Sequence, residues 1–232
     1  MLSNEILIDL SKELKIDRER IIREFYEILL LNELSKESFS RNIAFKGGTA
    51  LRLVYQSPRF SDDLDFSIIN EIKVKDVFGF GKKVSREFGL EIVDLHEKRN
   101  TIIAEFSIQE NLLPQNFRLK IEISKRIINE NDCELKILTS PTAPYQVLMK
   151  VVKIDRILKE KKDAVSVRKQ PRDIFDIWFI SQKVNLPFEN MLISNEFKDI
   201  DEKIVGNILK KYLPKNWYIA IDEIITIIKK NR

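Results

Sequence analysis

Asp63 and Asp65 are the side chains in this sequence whose type and spacing most directly suggest chemistry. In Asp63-Leu64-Asp65-Phe66-Ser67-Ile68 polar and apolar residues alternate, which is the period of a half-buried strand. Leu64, Phe66 and Ile68 then face one way, and Asp63, Asp65 and Ser67 the other. Carboxylates at i and i+2 of a strand lie roughly 6 to 7 Å apart. Both can therefore ligate one Mg²⁺, or a pair of ions about 3.5 to 4 Å apart. Without a cation they repel each other. About a dozen residues earlier, a short apolar strand over 43–45 runs into Gly47-Gly48-Thr49, and 50–55 suits a helix opening at Thr49. Glycines let backbone N–H groups approach phosphate oxygens, and a helix N-terminus favours negative charge. Alone, that turn reads as an ordinary strand-to-helix connection. The Asp-x-Asp strand beside it makes the pairing specific to phosphate and metal.

A third carboxylate depends on strand pairing. Over 117–124, Leu119, Ile121 and Ile123 share one face, while Arg118, Lys120, Glu122 and Ser124 share the other. If this strand lies beside the Asp63 strand, Glu122 joins both aspartates; if not, it is ordinary sheet surface. Around these strands the pattern predicts helices over 4–14 and 17–34 as scaffold, with Asp17 placed to cap the second. Arg18, Arg20 and Arg23 there either touch a polyanion or are simply solvated. A helix over 74–88, bent near Gly79 and Gly81 and closed by Gly89, precedes strands over 90–95 and 101–108. His96, the only histidine, and Cys133, in a polar loop over 129–134, suggest no catalysis.

The stretch 139–144, with Pro141 and Pro144 in a Ser/Thr context, reads as the boundary between two lobes, 1–140 and 141–232. Beyond it a helix is expected over 144–161, its stripe Val147, Leu148, Val151, Ile154 and Leu158 flanked by Lys150 and Lys153, before 159–163 frays into a loop. The next helix opens at Pro171 and is apolar except for Arg172, Asp173 and Asp176. Either Arg172 pairs with Asp176 at i,i+4, or Asp173, Asp176 and Lys150 line a cleft and hold nucleotide. Amphipathic helices over 188–198, 200–211 and 217–230 close the chain, ending in a basic tract that either guides RNA or is solvated.

Composition excludes more than it selects. At 232 residues and 44% hydrophobic, the chain buries one domain or two packed lobes. A net charge of +4 permits nucleic acid without requiring it. One cysteine excludes an internal disulfide framework and a cysteine-rich zinc site. With neither a signal-peptide pattern nor a long apolar run, a cytoplasmic protein without membrane contact is expected.

The runs Lys46-Gly47-Gly48-Thr49-Ala50-Leu51 and Arg59-Phe60-Ser61-Asp62-Asp63-Leu64-Asp65-Phe66 resemble the first motif of the AbiEii-type nucleotidyltransferases, toxins within the polymerase-beta-like superfamily. Lys120-Ile121-Glu122 matches the family's Lys-x-Glu/Asp motif, and Arg172-Asp173-Ile174-Phe175-Asp176 its Arg-Asp-x-Tyr/Phe-Asp. The resemblance implies an α+β nucleotidyltransferase fold: a small mixed sheet flanked by helices, then a helical C-terminal lobe completing the cleft. It implies transfer of a nucleotide from an NTP to an acceptor such as tRNA, with a separately encoded antitoxin as partner. Asp63, Asp65 and Glu122 would hold Mg²⁺, two ions in all. Lys46, Gly47, Gly48, Thr49, Arg59, Ser61, Lys120, Asp173 and Asp176 would contact nucleotide, and Lys150 or else Lys153, with Lys150 favoured, would neutralise the triphosphate. The competing readings are a non-catalytic nucleotide-binding or protein-interaction module on the same fold, and a metal-dependent phosphohydrolase. Retention of all three carboxylates favours the enzyme over the first, and the phosphate-cradling turn disfavours the second.

Overall fold

Alternation of apolar residues builds one mixed sheet, which the computed structural model describes together with its helices over residues 3–191 and 200–231. Its strands are β1 Ile43–Lys46, β2 Asp63–Ile68, β3 Glu91–Glu97, β4 Thr101–Ile108, β5 Phe117–Ile127, β6 Cys133–Ser140 and β7 Ala143–Val152. Their order is β3-β4-β5-β2-β1-β7-β6. The β2–β5 and β1–β7 pairs are parallel; the other neighbours are antiparallel. The chain divides into two compact units, residues 1–56 with 60–153, and residues 57–59 with 154–232.

The first unit contains the whole sheet and the helices α1 Asn4–Leu14, α2 Arg18–Ser35, α3 Gly47–Leu53 and α4 Val74–Phe88. Its core gathers the inward residues of each element: Ile21, Ile28 and Leu31 from α2, Phe45 from β1, Leu64 and Phe66 from β2, and Leu119, Ile121 and Ile123 from β5. Phe45 and Phe66 face each other across β1–β2 with ring centroids 5.2 Å apart. Ser3 caps α1 by accepting from the Ile6 N–H, whereas Asp17, at the N-cap of α2, makes no side-chain cap bond. Helix α4 runs unbroken past Gly79 and Gly81 and ends where Gly89, at φ +68, closes a left-handed C-cap.

The second unit contains α5 Ile154–Arg168, α6 Pro171–Lys183, α7 Glu202–Lys210 and α8 Tyr218–Lys230. Asp201 caps α7 by accepting from the N–H groups of Lys203 and Ile204. Of the helix expected over 188–198, the described part, Phe188–Asn190, is a single 3₁₀ turn; 192–198 lies outside the described residues.

The structure corrects the reading of the middle of the chain. Residues 139–144 are not a boundary; they close the β6–β7 hairpin, and the chain passes from the first unit into the second at Ile154. The expected helix over 144–161 is strand β7 followed by helix α5. Val147 and Val151 satisfy a helical stripe and a strand face alike. Burial of Val147, Met149 and Val151 with Leu148, a member of the helical stripe, left 57% exposed is the alternation of a strand. Pro144 sits near the start of β7, where a missing N–H is tolerated. The tract 159–163 is not a frayed loop but the middle of α5. Cys133 opens β6, and burial, with Asp132 nearby, pushes its thiol pKa up, which disfavours the thiolate.

Candidate active site on the central strands

The carboxylate strand and the glycine turn meet because β1 and β2 pair antiparallel, with Lys46 opposite Asp65. Helix α3 starts at Gly47, two residues earlier than expected, with Lys46 at its N-cap. Thr49 is therefore inside the first turn. Its buried hydroxyl does not cap the helix but donates to the Asp63 carbonyl at 2.6 Å, fastening the turn to the acidic strand. Gly47 has φ +79, in the left-handed region that favours glycine, and a Cβ built on it would collide with the Asp65 carboxylate. The backbone thus approaches Asp65 as closely as only glycine allows. From the last turn of α3, Arg52 Nε donates to Glu24 Oε2 at 2.5 Å, and its guanidinium stacks 3.7 Å from the centroid of Phe60.

Strand β5 lies parallel to β2, with Asp63 opposite Lys120 and Asp65 opposite Glu122. The condition for a third carboxylate on this face is met. Lys120 Nζ donates to Glu122 Oε2 at 2.9 Å and lies 3.9 Å from Asp63 Oδ2. Burial works against the Lys120 charge, but the Glu122 hydrogen bond and the Asp63 carboxylate outweigh it and raise the lysine pKa. As placed, no three His, Cys, Asp or Glu side chains among the described residues converge into a metal-holding group. The donor set still fits a hard cation: Asp63, Asp65 and Glu122 offer only oxygen, and a positive charge, the Lys120 ammonium, already stands between two of them.

The remaining candidates separate. Register carries Lys150 to the Asp65 face of the sheet, because Val151 opposite Phe45 puts its neighbours beside Ala44 and Lys46. It is two strands away, however, and pairs with Glu130 at 2.5 Å. Lys153 lies just past β7, its backbone N–H donating to the Asp132 carbonyl. Ser61 is half-buried just before Asp62.

Arg59, Asp173 and Asp176, expected to contact nucleotide, are held in an ion-pair network. All three are buried in the second unit, where Arg59 grips Asp176 through Nε at 2.7 Å and Nη2 at 2.8 Å. Lys161 adds bonds of 2.9 Å to Asp173 and 2.7 Å to Asp176, and Arg168 donates to Asp173 at 2.7 and 3.0 Å. Burial alone would raise both aspartate pKa values; Arg59 and Lys161 around Asp176, and Lys161 and Arg168 around Asp173, hold them below the usual range. Carboxylates so enclosed by cations brace the second unit. The expected i,i+4 partner, Arg172, instead lays its guanidinium 5.1 Å from the centroid of Tyr212. The sequence reading missed Lys161. The signal was present, because Ile157, Lys161 and Val165 continue one i,i+4 stripe whose two apolar members are fully buried.

The profile of the family described as "Nucleotidyl transferase AbiEii toxin, Type IV TA system" matches residues 29–216. The chain belongs to the AbiEii family. The resemblance drawn from Lys46–Leu51, Arg59–Phe66 and Lys120–Glu122 is thereby borne out. The structure of JHP933 from Helicobacter pylori is similar at TM-score 0.54 and 20% identity, covering 93% of this chain and 94% of that one. A second H. pylori structure, described as a candidate nucleotidyltransferase, is similar at TM-score 0.54 and 21% identity, covering 99% and 96%. At these identities the likeness shows the shared nucleotidyltransferase fold. Among curated proteins, none matches the chain. Among the described residues no helix is long and apolar enough to cross a membrane.

Proposed function

We propose that this AbiEii protein transfers a nucleotidyl group from an NTP to a hydroxyl of an acceptor RNA, with tRNA the expected class. The observation that carries the reading is the parallel β2–β5 register, which sets Asp65 opposite Glu122 beside the glycine turn. Asp63, Asp65 and Glu122 are the residues that would hold Mg²⁺, as one ion or two. Bound there, Mg²⁺ would supply charge neutralisation to the triphosphate and leaving pyrophosphate and would lower the pKa of the attacking hydroxyl.

The chain's own groups do the rest. Gly47 and Gly48 let the triphosphate approach the backbone, and Lys46 at the same turn adds positive charge. Lys120, kept cationic by Glu122 and Asp63, prevents carboxylate repulsion until substrate arrives, then turns toward phosphate. Lys150, released from Glu130, would reach along the same sheet face toward the triphosphate. A cytoplasmic location, where both NTPs and tRNA are present, and a separately encoded antitoxin complete the reading.

The test is incubation with each labelled NTP and total RNA, with and without Mg²⁺, followed by sizing of the labelled products. Label entering one RNA size class with one preferred NTP, abolished by EDTA and by Asp65→Asn, is expected. Absence of labelled RNA with all four NTPs would overturn the reading.

A further inference from the structure

Helix α2 carries a buried charged stripe where an amphipathic scaffold helix should present apolar residues. Arg20, Arg23, Glu24 and Glu27 follow the i, i+3, i+4, i+7 spacing of one helix face, and Arg23, Glu24 and Glu27 are buried at 7%, 1% and 1% exposure. Burying charge is costly unless partners fix it in place, so the partners indicate its use. Arg20 Nη1 donates to Asp62 Oδ1 at 2.5 Å. Arg23 Nη1 donates to the Arg118 carbonyl at 2.6 Å and reaches the Asp62 carbonyl at 3.5 Å, while the plane of its guanidinium packs 4.6 Å from the centroid of Phe117. Asp62 immediately precedes β2, and Arg118 is the second residue of β5. One guanidinium therefore bridges the starts of the two strands that carry Asp63, Asp65 and Glu122.

The bridge matters because nothing local sets this register. Strands β2 and β5 are parallel and separated in sequence by α4, β3 and β4, so no hairpin turn aligns them. A one-residue slip is forbidden by the hydrophobic pattern, since it would turn Ile121 and Ile123 to the wet face. A two-residue slip is not. It keeps Leu64 and Phe66 facing the core with Leu119, Ile121 and Ile123, yet it would set Asp65 opposite Lys120 or Ser124 instead of Glu122. Fixing the chain at Asp62 and Arg118 together excludes that slip.

We infer that Arg23, supported by Arg20, is a positioning residue of the carboxylate site: it locks β2 and β5 in the register that places Asp65 across from Glu122. Both arginines lie before the family match, which begins at residue 29, so nothing in that match assigns them a role. The inference rests on the proposed reading of Asp63, Asp65 and Glu122 as the metal-holding group.

The test compares Arg23→Lys, which keeps the charge but cannot bridge two carbonyls in a fixed plane, with Leu30→Ala, a fully buried α2 change about two helical turns beyond Arg23. Both variants are measured at temperatures equally far below their melting points. Arg23→Lys should weaken Mg²⁺ binding by calorimetry about tenfold or more, as loss of outer-shell support does at metal sites. Leu30→Ala should not. Backbone amide exchange over 119–122 should accelerate in Arg23→Lys and remain as in the unsubstituted protein for Leu30→Ala. Equal effects of the two variants on either readout, or an unchanged Mg²⁺ affinity in Arg23→Lys, would overturn the inference. Failure of the unsubstituted protein to bind Mg²⁺ would strike the reading of the site instead, and amide exchange alone would then decide the role of Arg23.

Discussion

Replacing Gly47 with alanine should damage the site more than the fold. Its φ of +79 is in the left-handed region, where a Cβ costs about 1–2 kcal/mol. That Cβ would stand 3.0 Å from the Asp65 Cβ and 3.1 Å from its Cγ, against the roughly 3.5–4.0 Å at which carbon atoms rest. The neighbour is the short side chain of a paired strand, so either Asp65 rotates or the turn withdraws, by about 0.5 to 1 Å in either case. A shift of about 1 Å in a reacting geometry costs on the order of 100-fold in rate. Gly47→Ala is therefore expected to lose about two orders of magnitude in nucleotidyl transfer. Its melting point should fall by about 2–8 °C, at about 2–4 °C per kcal/mol for a chain of this size.

The matched control is Gly79→Ala, in mid-helix with nothing within 4 Å of an added Cβ, which should keep full activity and gain about 0.5–1 kcal/mol from helix propensity. Transfer rates under saturating NTP, with circular-dichroism melts of both proteins, separate the two effects. A Gly47→Ala protein that transfers nucleotide at the original rate would refute the argument that backbone contact with Asp65 shapes the site.

Glu122→Gln, which removes a charge at constant size, should lower transfer by several orders of magnitude while leaving the circular-dichroism spectrum intact; a variant with undiminished transfer would remove Glu122 from the site. Lys150→Ala should reduce turnover and shift melting by only a few degrees, because Lys150 and Glu130 form a partly exposed pair, and unaltered turnover would rule Lys150 out as the triphosphate lysine. Arg59→Ala leaves Lys161 as the remaining cation on the fully buried Asp176 carboxylate, so melting of the second unit, followed by the fluorescence of Trp178 and Trp217, should fall by up to about 10 °C, since removing one partner of a buried pair costs up to about 3–5 kcal/mol. Asp173 and Asp176 have lowered pKa values in the fold, so their contribution is complete above the unfolded carboxylate pKa and is lost as pH falls through the folded values. Glu27 has the opposite sign: burial first, then Glu24, raises its pKa, so its contribution is complete at acid pH and is lost as pH rises. Glu27→Gln should accordingly raise the melting point at pH 8, with the gain vanishing toward pH 4; a gain independent of pH would refute this.

The strands of the site were legible because their alternation is local. Asp63–Ile68 and Thr101–Ile108 match the expected bounds, and the wet face shared by Asp63, Asp65 and Glu122 follows from period two once β2 and β5 pair. That pairing could only be posed as a condition, since parallel partners distant in sequence leave no turn signal. β7 was misread because Val147 and Val151 fit two periods, and the deciding fact, an exposed Leu148 between a buried Val147 and a buried Met149, is tertiary. The Arg59 ion pair was hidden for a related reason: Arg59 stands in the motif run with Ser61 and Asp63, yet its guanidinium binds Asp176, more than a hundred positions away in sequence.

A charged fraction of 33% suggests a chain covered in solvated side chains, but in both units the informative charges face inward. Arg23 and Glu24 are buried in the first unit, and Arg59, Lys161, Asp173 and Asp176 form a closed network in the second. Apolar packing tolerates small displacements and register shifts that preserve volume and face. A guanidinium bound to two specified oxygens does not, because its donors lie in a fixed plane. The site needs two strands and a glycine turn held to a fraction of an ångström, which hydrophobic patterning alone cannot provide. Arginine bridges at the strand starts, a threonine hydroxyl on the Asp63 carbonyl and the Glu24–Arg52 pair at the last turn of α3 supply that constraint at three separate points of the first unit.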